Sequence, residues 1–584
     1  MKNLILLTRK KLILLASLAT GLSATLLFGQ GGPLDPAELV KPLTNNWTSY
    51  SGDYSGKRYS LLKQINVDTV KHLSLDWYNT SIRSGCGATG TEAQAGGGGF
   101  AGGGGRGGGG GGATAPIIVG GLGDGSANQC NASRFEGGVL IVNGVIYASQ
   151  PNNVFAIDAH DGQLLWHYYW KVRPGHGLAN RGLAMWNNRI YFEEQDDFVV
   201  CLDAGTGKEL WKKEIASLDE NYWASNAPMV LGNHVIVGVS NNLDMPAYLQ
   251  SLDPETGERQ WVLYSTAQKP GDPGENTWTS LDAARHGGGT SWIPGSYDPE
   301  LHLYYYGTGN PTPAYTQGRG DGDNLFTGCL IAVNVDTGKM AWYFQTAPHD
   351  THDWDSTETP ALADMPFNGR QRKLLMMATR NGYFYVLDRV TGEHLISAKL
   401  GLVNNYASGI HPEDKPVLDA RGEVKRNPNK DATIPGSLVN GDVLNYPPPT
   451  FSPAAGLFYT HETNSLHIDY LMEPDPRGSM GLGGISSGGN FSFGTFLDAI
   501  DYKTGKVVWR HKLTNGSVGL LSTAGGVLFM SNGGGIEALE ATTGKPLWHS
   551  EVGALTAPPE TFLMDGKQYV AAYVSGGLFM FVLN

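Results

Sequence analysis

The chain has 584 residues and a formal net charge of −13 at pH 7, and charged residues make up 17% of it. Such an acidic balance lacks the basic surface by which proteins bind nucleic acids, so we exclude that class of partner. Glycine supplies 81 residues, about twice its usual share of roughly 7%, which indicates many turns and a low-complexity segment.

The N-terminus carries the features of an export signal. Three basic residues at positions 9–11 precede an apolar run from Leu12 to Phe28, and polar, proline-bearing sequence follows. We expect residues 1–29 to direct export, with cleavage near Ala24 or Gly29, or with retention as a short membrane anchor. Residues 30–584 would then form one domain in the periplasm.

A glycine-rich insertion interrupts the chain at about residues 84–134. Its centre, from Gly97 to Gly112, has the composition of a flexible segment. Cys86 and Cys130 flank this centre, and they form either a disulfide that closes the insertion or two free thiols. Cys201 and Cys329 lie in apolar runs, which favours buried free thiols.

One repeat recurs along the rest of the chain. Seven variants of D-x-x-T-G-x-x-x-W follow strand-like runs, as in Asp203 to Trp211, and each predicts a strand, a tight turn and a second strand. The copies end at Trp166, Trp211, Trp261, Trp342, Ile396, Trp509 and Trp548, and a degenerate copy ends at Trp77. Repeats of this kind predict an all-β fold, an eight-bladed β-propeller in which each Trp packs between neighbouring blades.

Four segments between the repeats carry polar residues that a bare propeller does not need. They are Phe135 to Gly138, Asn180 to Trp186, Gly287 to Asn310 and Pro348 to Asp355. Together with Arg380-Asn381-Gly382 and the Trp repeats, they resemble the pyrroloquinoline quinone (PQQ) dependent alcohol dehydrogenases, a family of eight-bladed quinoproteins. The similarity extends from Trp47 to Gly577.

This resemblance implies a site for PQQ and for Ca²⁺ or a lanthanide ion. The family's Trp beneath the flat quinone corresponds to Trp292, in a G-G-T-x-W motif. The other residues that the resemblance assigns to PQQ are Glu136, Arg181, Ser225, Ser240, Thr290, Arg380 and Asn464.

The resemblance also implies a metal site and a catalytic base. Asn310 corresponds to the metal-binding Asn, and Asp353 to the base, which also binds the metal. A shifted alignment, with Trp354 and Asp355 on the family's Trp-Asp pair, would instead put the base at Asp355. In the preferred alignment Asp355 takes the position of an additional carboxylate found in lanthanide-dependent members. The remaining ligand, a Glu in the family, falls on Leu243, so we assign Asp244 instead.

Two further positions depart from the family's pattern. Gly175 and His176 stand where many members have two adjacent cysteines above the cofactor, and His352 stands where the family usually has Trp. These departures leave open a degenerate quinoprotein that folds but no longer binds a metal ion.

The implied activity is the oxidation of an alcohol. Asp353 would take the hydroxyl proton while hydride moves to PQQ, with the cation as Lewis acid and Arg380 stabilising the developing charge. The sequence has no C-x-x-C-H motif for covalent haem, so electrons would pass to a soluble cytochrome or another separate acceptor. A sugar or polyol dehydrogenase and a non-catalytic propeller scaffold of the cell envelope are the alternatives.

Overall fold

The computed structural model describes residues 32–80, 82, 115–123, 135, 137–174, 180–239, 245–314, 319–350, 352–401, 407–410, 416–418, 438–471, 485–516 and 518–584. The predicted export signal, Cys86, Cys130 and residues 97–112 lie outside these ranges. Across the described ranges, eight sheets contain four or five strands each, and one further sheet contains two.

The sheets follow one another along the chain, and we number them 1 to 8. Sheet 1 contains Ile117–Gly121, Leu140–Val142, Val145–Gln150, Asn153–Asp158 and Leu164–Lys171. Sheet 2 contains Ala184–Trp186, Arg189–Glu194, Phe198–Asp203 and Glu209–Glu214. Sheet 3 contains Met229–Leu231, His234–Gly238, Tyr248–Leu252 and Arg259–Tyr264. Sheet 4 contains Ser296–Asp298, Leu303–Gly307, Cys329–Asn334 and Lys339–Gln345.

Sheets 5 to 8 complete the series. Sheet 5 contains Ala361–Phe367, Arg370–Thr379, Tyr383–Asp388 and His394–Lys399. Sheet 6 contains Leu438–Asn440, Thr450–Ser452, Leu457–Leu471, Ile485–Asp501 and Val507–Leu513. Sheet 7 contains Tyr59–Ser60, Leu520–Thr523, Val527–Asn532, Gly535–Glu540 and Pro546–Ser550. Sheet 8 contains Leu73–Asn79, Leu555–Met564, Lys567–Val574 and Gly577–Leu583.

Few other elements accompany the eight sheets. A separate pair of strands spans Ala407–Ile410 and Pro416–Leu418, a short α-helix spans Leu281–Arg285, and 3₁₀ turns span Pro36–Glu38, Val70–His72, Leu218–Glu220 and Glu275–Thr277. The strand Ile117–Gly121 pairs in parallel with Leu164–Lys171. It falls within residues 84–134, which we predicted as a low-complexity insertion, and its isoleucines and valine suit a strand.

The repeat Trp of one sheet docks on the T-G turn of the next. The indole N–H of Trp166 donates to the carbonyl of Ala204 at 3.0 Å. Equivalent bonds run from Trp77 to Ala159, Trp211 to Pro254, Trp261 to Val335, Trp342 to Arg389, Trp509 to Ala541 and Trp548 to Leu73. Trp548 of sheet 7 reaches sheet 8, and Trp77 of sheet 8 reaches sheet 1. Between sheets 5 and 6 the repeat has Ile396 instead of Trp, and a Cβ atom on Gly505 of the sheet 6 turn would lie 3.1 Å from Cγ2 of Ile396, so the contacts close a ring. The β-propeller prediction is confirmed, and these contacts support the blade number of eight, which stays a prediction.

The Asp and Thr of the repeat shape the turn that receives the indole. Oδ1 of Asp203 accepts hydrogen bonds from the backbone N–H of Thr206 at 2.9 Å and from its hydroxyl at 2.7 Å. Gly207 follows with φ of +69°, a left-handed conformation that suits glycine. A Cβ atom on Gly207 would lie only 2.6 Å from the ring of Trp166, so the turn requires glycine for both reasons.

We therefore expect Gly207→Ala to lower the free energy of unfolding by about 2–5 kcal/mol. The left-handed backbone accounts for roughly 1–2 kcal/mol of this loss, and the contact with Trp166 accounts for roughly 1–3 kcal/mol. Urea unfolding followed by tryptophan fluorescence would measure the change.

Gly369→Ala is the matched control for this prediction. Gly369 has φ of +79°, but a Cβ atom there would meet no atom within 4 Å. The free energy of unfolding of the control should therefore fall only by the amount that the left-handed backbone accounts for. Equal losses for the two variants would show that the docked indole tolerates a methyl group.

The segment from Asn45 to Ser60 joins the sheets from inside the ring. Six backbone hydrogen bonds, each between 2.7 and 3.1 Å long, connect this segment to edge strands of six of the sheets. They run from Trp47 N to Ile141 O, Tyr297 N to Tyr54 O, Leu362 N to Ser55 O, Phe451 N to Lys57 O, Ser522 N to Arg58 O and Leu563 N to Asn45 O. The hydroxyl of Tyr54 also donates to the carbonyl of Val230 in sheet 3 at 2.5 Å. We call residues 45–60 the inner segment.

Two smaller predictions concern the described residues. Cys201 is a buried free thiol, as predicted, and Cys329 is also buried. No helix within the described ranges is long and apolar enough to span a membrane.

Candidate active site

One end of the sheets gathers the polar segments singled out in the sequence. In a sheet whose strands run up and down, the turn between the second and third strands lies at the same end as the connection to the next sheet. Arg380 occupies such a turn in sheet 5, and Asp353 and Asp355 lie on the connection from sheet 4 to sheet 5. Trp292 and Arg181 lie on connections that enter sheets 4 and 2, at this same end.

Arg380 is the centre of a carboxylate cluster. Its Nη1 donates to Oδ2 of Asp355 at 2.9 Å, and its Nε donates to Oδ2 of Asp442 at 2.9 Å. Nη2 lies 3.6 Å from Oδ2 of Asp353. The side chains of Arg380 and Asp353 are 13% and 18% exposed, so most of their surface is shielded from water but neither group is completely buried.

Asp355 links three parts of the site through hydrogen bonds. Its Oδ1 accepts from the backbone N–H of Asn310 at 2.7 Å, and its Oδ2 accepts from the indole N–H of Trp292 at 3.0 Å as well as from Arg380. A Cβ atom on Gly309 would lie 2.6 Å from Oδ1 of Asp355 and 2.3 Å from Oγ1 of Thr290. Only glycine at position 309 allows these groups to approach so closely.

The backbone that carries Asp353 is shaped by Asp350. The carboxylate of Asp350 accepts from the N–H groups of His352 and Trp354, both at 2.8 Å. Asp353 has φ of +62°, a left-handed conformation that Asp adopts more readily than most residues. The rings of His352 and Trp354 stack at 4.0 Å with 8° between their planes. Burial lowers the pKa of His352 to about 3, so this His is neutral and serves as a flat ring.

Arg181 and two aromatic rings form the opposite part of the site. The guanidinium carbon of Arg181 lies 4.5 Å from the ring centre of Trp292 and 5.4 Å from that of Tyr446. Nη1 of Arg181 donates to the carbonyl of Ser225 at 3.1 Å. A cation thus lies over the ring that the sequence assigned to the floor of a flat anionic ligand.

The buried carboxyl groups have shifted pKa values. Burial raises the pKa of Asp353 well above its usual range, against the opposing effect of the Arg380 guanidinium. Burial also raises the pKa of Asp355, and Arg380 again opposes this shift. For Arg380, burial acts to lower the pKa, but Asp442, Asp353 and Asp355 outweigh it and raise the pKa well above the ordinary value.

The structure brings together most of the described residues that we predicted for the site. Arg380, Asp353, Asp355, Asn310, Thr290 and Trp292 lie in contact or one residue apart. Arg181 lies over the ring of Trp292 and donates to the carbonyl of Ser225. Asn464 instead donates to Glu462 at 2.5 Å, in an ion cluster with Arg510 and Asp498. Glu136, Ser240, Asp244, Leu243, Gly175 and His176 lie outside the described residues, so their assignments stay predictions.

Three residues of the site were missed from the sequence. Asp442 and Tyr446 lie on the loop of residues 441–449 in sheet 6, which carries no part of the recognised motifs. Glu358 is 4% exposed, and its Oε2 has no hydrogen-bond partner within the described part of the chain. Burial raises its pKa well above the usual range. An Asp three residues before the Asn445-Tyr446 pair, at the end where the other polar loops meet, was the signal available for this loop.

The ligand atoms near Asp353 are all oxygens. Asn310 is 2% exposed, and its amide nitrogen donates to the carbonyl of Pro311 at 2.9 Å, which leaves the amide oxygen as the atom it can offer to a cation. The described residues include no group of three or more His, Cys, Asp or Glu side chains arranged for a metal ion. Any cation site here therefore combines carboxylates with an amide, a donor set typical of hard cations.

Comparisons with known proteins identify the relatives of this chain. A family profile described as "Glucose/ethanol/alcohol dehydrogenase, beta-propeller domain" matches residues 122–405, and one described as "Outer membrane protein assembly factor BamB" matches residues 482–583. The chain is 30% identical to the quinohemoprotein alcohol dehydrogenase of Comamonas testosteroni, with 91% of this chain and 73% of that protein covered. It is 31% identical to the lanthanide-dependent methanol dehydrogenase of Methylacidiphilum fumariolicum, with 96% and 90% covered. Among solved structures, a europium-containing methanol dehydrogenase matches with a TM-score of 0.75 and 27% identity, covering 94% of this chain and 99% of that one.

Proposed function

Because the chain belongs to the family of PQQ-dependent alcohol dehydrogenases, we propose that it oxidises a small alcohol with Asp353 as the base and Arg380 as the electrostatic partner. The chain is an enzyme of this family, and its cofactors are PQQ with Ca²⁺ or a lanthanide ion. The main support for this proposal is the arrangement around Arg380. Its Nη1 lies 2.9 Å from Oδ2 of Asp355 and its Nη2 lies 3.6 Å from Oδ2 of Asp353, beside the partly exposed Trp292.

The residues present suit a flat quinone with several carboxylates. Trp292 offers an aromatic ring, Arg181 is a cation over that ring, and Arg380 is a cation bound to Asp355, which accepts from the indole N–H. Ser225 Oγ and Ser291 Oγ are buried and have no hydrogen-bond partner among the described residues. Unpaired buried hydroxyls are costly, so these two atoms fit the role of donors to a bound anion. Thr290, and the predicted Glu136, Ser240 and Asn464, would complete the surroundings of PQQ.

Asp355 supports a cation role only in part. A carboxylate has about four lone-pair positions. In Asp355, three of these positions already accept hydrogen bonds from protein donors. One position is left for a cation, so Asp355 would serve as a single-oxygen ligand beside Asn310 and Asp353. Asp244 would supply the remaining protein ligand.

The chain's own residues account for the proton chemistry. An alcohol becomes an aldehyde or ketone by losing a hydride and a proton. PQQ accepts the hydride when bound, and the cation acts as a Lewis acid. Asp353 accepts the hydroxyl proton. Its carboxylate is a base when ionised, and it lies in the site, 3.6 Å from Nη2 of Arg380. Arg380 stabilises negative charge that develops on oxygen atoms next to its Nη2.

We also propose that the protein works after export, in the periplasm, and passes electrons to a separate carrier. The basic and apolar N-terminal residues support export, and either cleavage or retention as an anchor is compatible with it. A soluble cytochrome would serve as the carrier, because the sequence has no C-x-x-C-H motif for a haem of its own.

A dye-linked assay tests the proposed function. Purified protein would be reconstituted with PQQ and either Ca²⁺ or La³⁺, and then supplied with primary alcohols, secondary alcohols, polyols and sugars. We expect PQQ-dependent oxidation of alcohols, and the preferred ion would assess the role of Asp355. Preference for sugars would favour the polyol or sugar alternative. Absence of both oxidation and PQQ binding would support a scaffold or a degenerate quinoprotein.

A further inference from the structure

Asp442 contacts the proposed catalytic machinery but has no part in the proposed chemistry. Its Oδ2 accepts from Nε of Arg380 at 2.9 Å, and Nδ2 of Asn445 lies 3.4 Å from the same oxygen. Its side chain is 40% exposed, so the charge remains partly hydrated and costs little to keep there. We therefore look for the role of Asp442 in its effect on Arg380.

Backbone hydrogen bonds set the position of Asp442. The N–H of Val443 donates to the carbonyl of Arg380 at 3.0 Å, and the N–H of Thr463 donates to the carbonyl of Val443 at 2.6 Å. The residue after Asp442 is thus tied to the Arg380 turn of sheet 5 on one side and to a strand of sheet 6 on the other. Asp442 is held beside Arg380 by the framework of two sheets.

The three nitrogens of the Arg380 guanidinium have different surroundings. Nε binds Asp442 and Nη1 binds Asp355, each at 2.9 Å, whereas Nη2 lies 3.6 Å from Asp353. A distance of 3.6 Å is longer than a hydrogen bond. Because a guanidinium is planar and rigid, bonds at Nε and Nη1 fix the direction of Nη2 as well.

Without Asp442, Arg380 has a competing arrangement. Arginine favours paired hydrogen bonds to one carboxylate, and the nearest carboxylates after Asp442 are Asp355 and Asp353. If the guanidinium rotated to form a close pair with Asp353, it would stabilise the charge of that carboxylate and make it a weaker base.

We propose that Asp442 is a positioning residue that keeps Arg380 from forming a close ion pair with Asp353. It fixes the guanidinium through Nε, so that Nη2 stays available to oxygen atoms of the reacting groups and Asp353 stays free to accept a proton. This inference rests on the proposed function, in which Asp353 is the base.

Kinetics of Asp442→Ala and Asp442→Asn test the proposal. Small displacements of catalytic groups reduce rates by up to about 10²-fold, so we expect Asp442→Ala to lower kcat by roughly 10–100-fold with KM within about twofold. Asp442→Asn keeps an acceptor oxygen and should recover part of this loss. Binding of PQQ, followed by quenching of tryptophan fluorescence, should stay within about twofold of the wild-type protein, because Asp442 acts through Arg380.

Asp364→Ala is the matched control. Asp364 is 51% exposed and accepts from Nη1 of a buried arginine, Arg389, at 2.7 Å, but it lies in sheet 5 away from Arg380. This variant should keep wild-type kcat and lose about as much thermal stability as Asp442→Ala. A similar fall in kcat for both variants would assign the effect of Asp442 to folding.

A double-mutant cycle separates positioning from a general structural role. Lysine lacks Nε and the rigid fork of arginine, so Asp442 has nothing to align in an Arg380→Lys background. We expect Asp442→Ala to change kcat by less than about twofold in that background, which corresponds to strong coupling between the two sites. Additive effects of the two substitutions would overturn the proposal.

A crystal structure of Asp442→Ala gives a readout that does not depend on activity. We expect the distance from Nη2 of Arg380 to Oδ2 of Asp353 to contract from 3.6 Å into the range of a hydrogen bond, about 2.7–3.2 Å. An unchanged distance would overturn the positioning role even if kcat fell. Failure of the wild-type protein to bind PQQ would overturn the proposed function and this role together.

Discussion

Replacement of Asp353 by Asn is expected to lower kcat by about 10²–10⁴-fold, the range that a general base contributes. Asn has nearly the same shape as Asp, so the contacts around position 353 survive, but its amide cannot accept the hydroxyl proton. Steady-state kinetics with the PQQ-loaded protein and an alcohol identified by the dye-linked assay would measure the loss. Tryptophan fluorescence would show whether the variant still binds PQQ.

Two further variants make this result specific. Asp336→Asn is the control, since Asp336 is 53% exposed and pairs with His302 on a T-G turn at the other end of the sheets; kcat should not change. Asp355→Asn tests the alternative alignment, in which Asp355 is the base. Full kcat in Asp353→Asn together with a large loss in Asp355→Asn would shift the base to Asp355.

The pH dependence provides a third check on Asp353. Burial raises the pKa of this carboxyl, although Arg380 acts in the opposite direction. A base works only in its ionised form, so kcat/KM should fall as the pH falls through the pKa of Asp353. A bound cation would favour the ionised form and move this limb to lower pH. Asp353→Asn should lack the limb.

The fold could be predicted because the residues of each repeat determine its local structure. The Asp–Thr pair makes a local turn, glycine accepts the left-handed backbone, and Trp reaches the same turn of the next sheet. In the structure Asp203, Gly207 and Trp166 make these contacts. Residues close in sequence determine such a pattern, so it can be recognised without knowledge of the rest of the chain.

The site could be predicted only where its residues belong to motifs. Trp292, Asn310, Asp353 and Arg380 each lie in a short polar segment, and the structure gathers them around Asp355. Asp442 reaches Arg380 from another sheet, 62 residues along the chain, and no local pattern marks it. Asn464 lies on that same sheet, where its amide donates to Glu462, whose carboxylate also binds Arg510; its contact with PQQ stays a prediction.

The inner segment shows most clearly what local patterns leave out. Its hydrogen bonds join residues that are far apart in the chain; the bond from Arg58 Nε to the carbonyl of Leu520 spans 462 residues. Polar residues such as Ser55, Lys57 and Arg58 would be assigned to an exposed loop on composition alone. In the closed ring, the backbone carbonyls of these residues accept hydrogen bonds from edge strands of several sheets.

Arg58→Met is therefore expected to lower the free energy of unfolding by about 3–5 kcal/mol, as when a buried charged partner is removed. Arg58 is fully buried and donates to the carbonyls of Leu520, Tyr50 and Pro559 at 2.8, 3.0 and 2.9 Å. Met fills similar space beside Trp47, whose ring lies 4.7 Å from the guanidinium, but it leaves three buried carbonyls without these donors. Urea unfolding would measure the loss.

The pH dependence of the same variant identifies the cause. Burial raises the pKa of Glu560 to about 8 against the opposing charge of Arg58. The folded protein thus holds this proton more tightly than the unfolded chain, whose Glu has a pKa of about 4.5, so stability falls as pH rises between these values. Without Arg58 the fall should extend to higher pH, because the pKa of Glu560 in the folded protein would rise further, and adding Glu560→Gln should remove the excess.

Arg189→Met is the control for the loss of an arginine. Arg189 pairs with Glu255, which is 52% exposed, and pairs of this kind contribute at most about 1 kcal/mol. If Arg58→Met cost no more than this control, the inner segment would not hold the sheets together through Arg58. A large loss that Glu560→Gln reduces only above the pKa of Glu560 would instead show that Arg58 acts both as a donor to the carbonyls and as the counter-charge of Glu560.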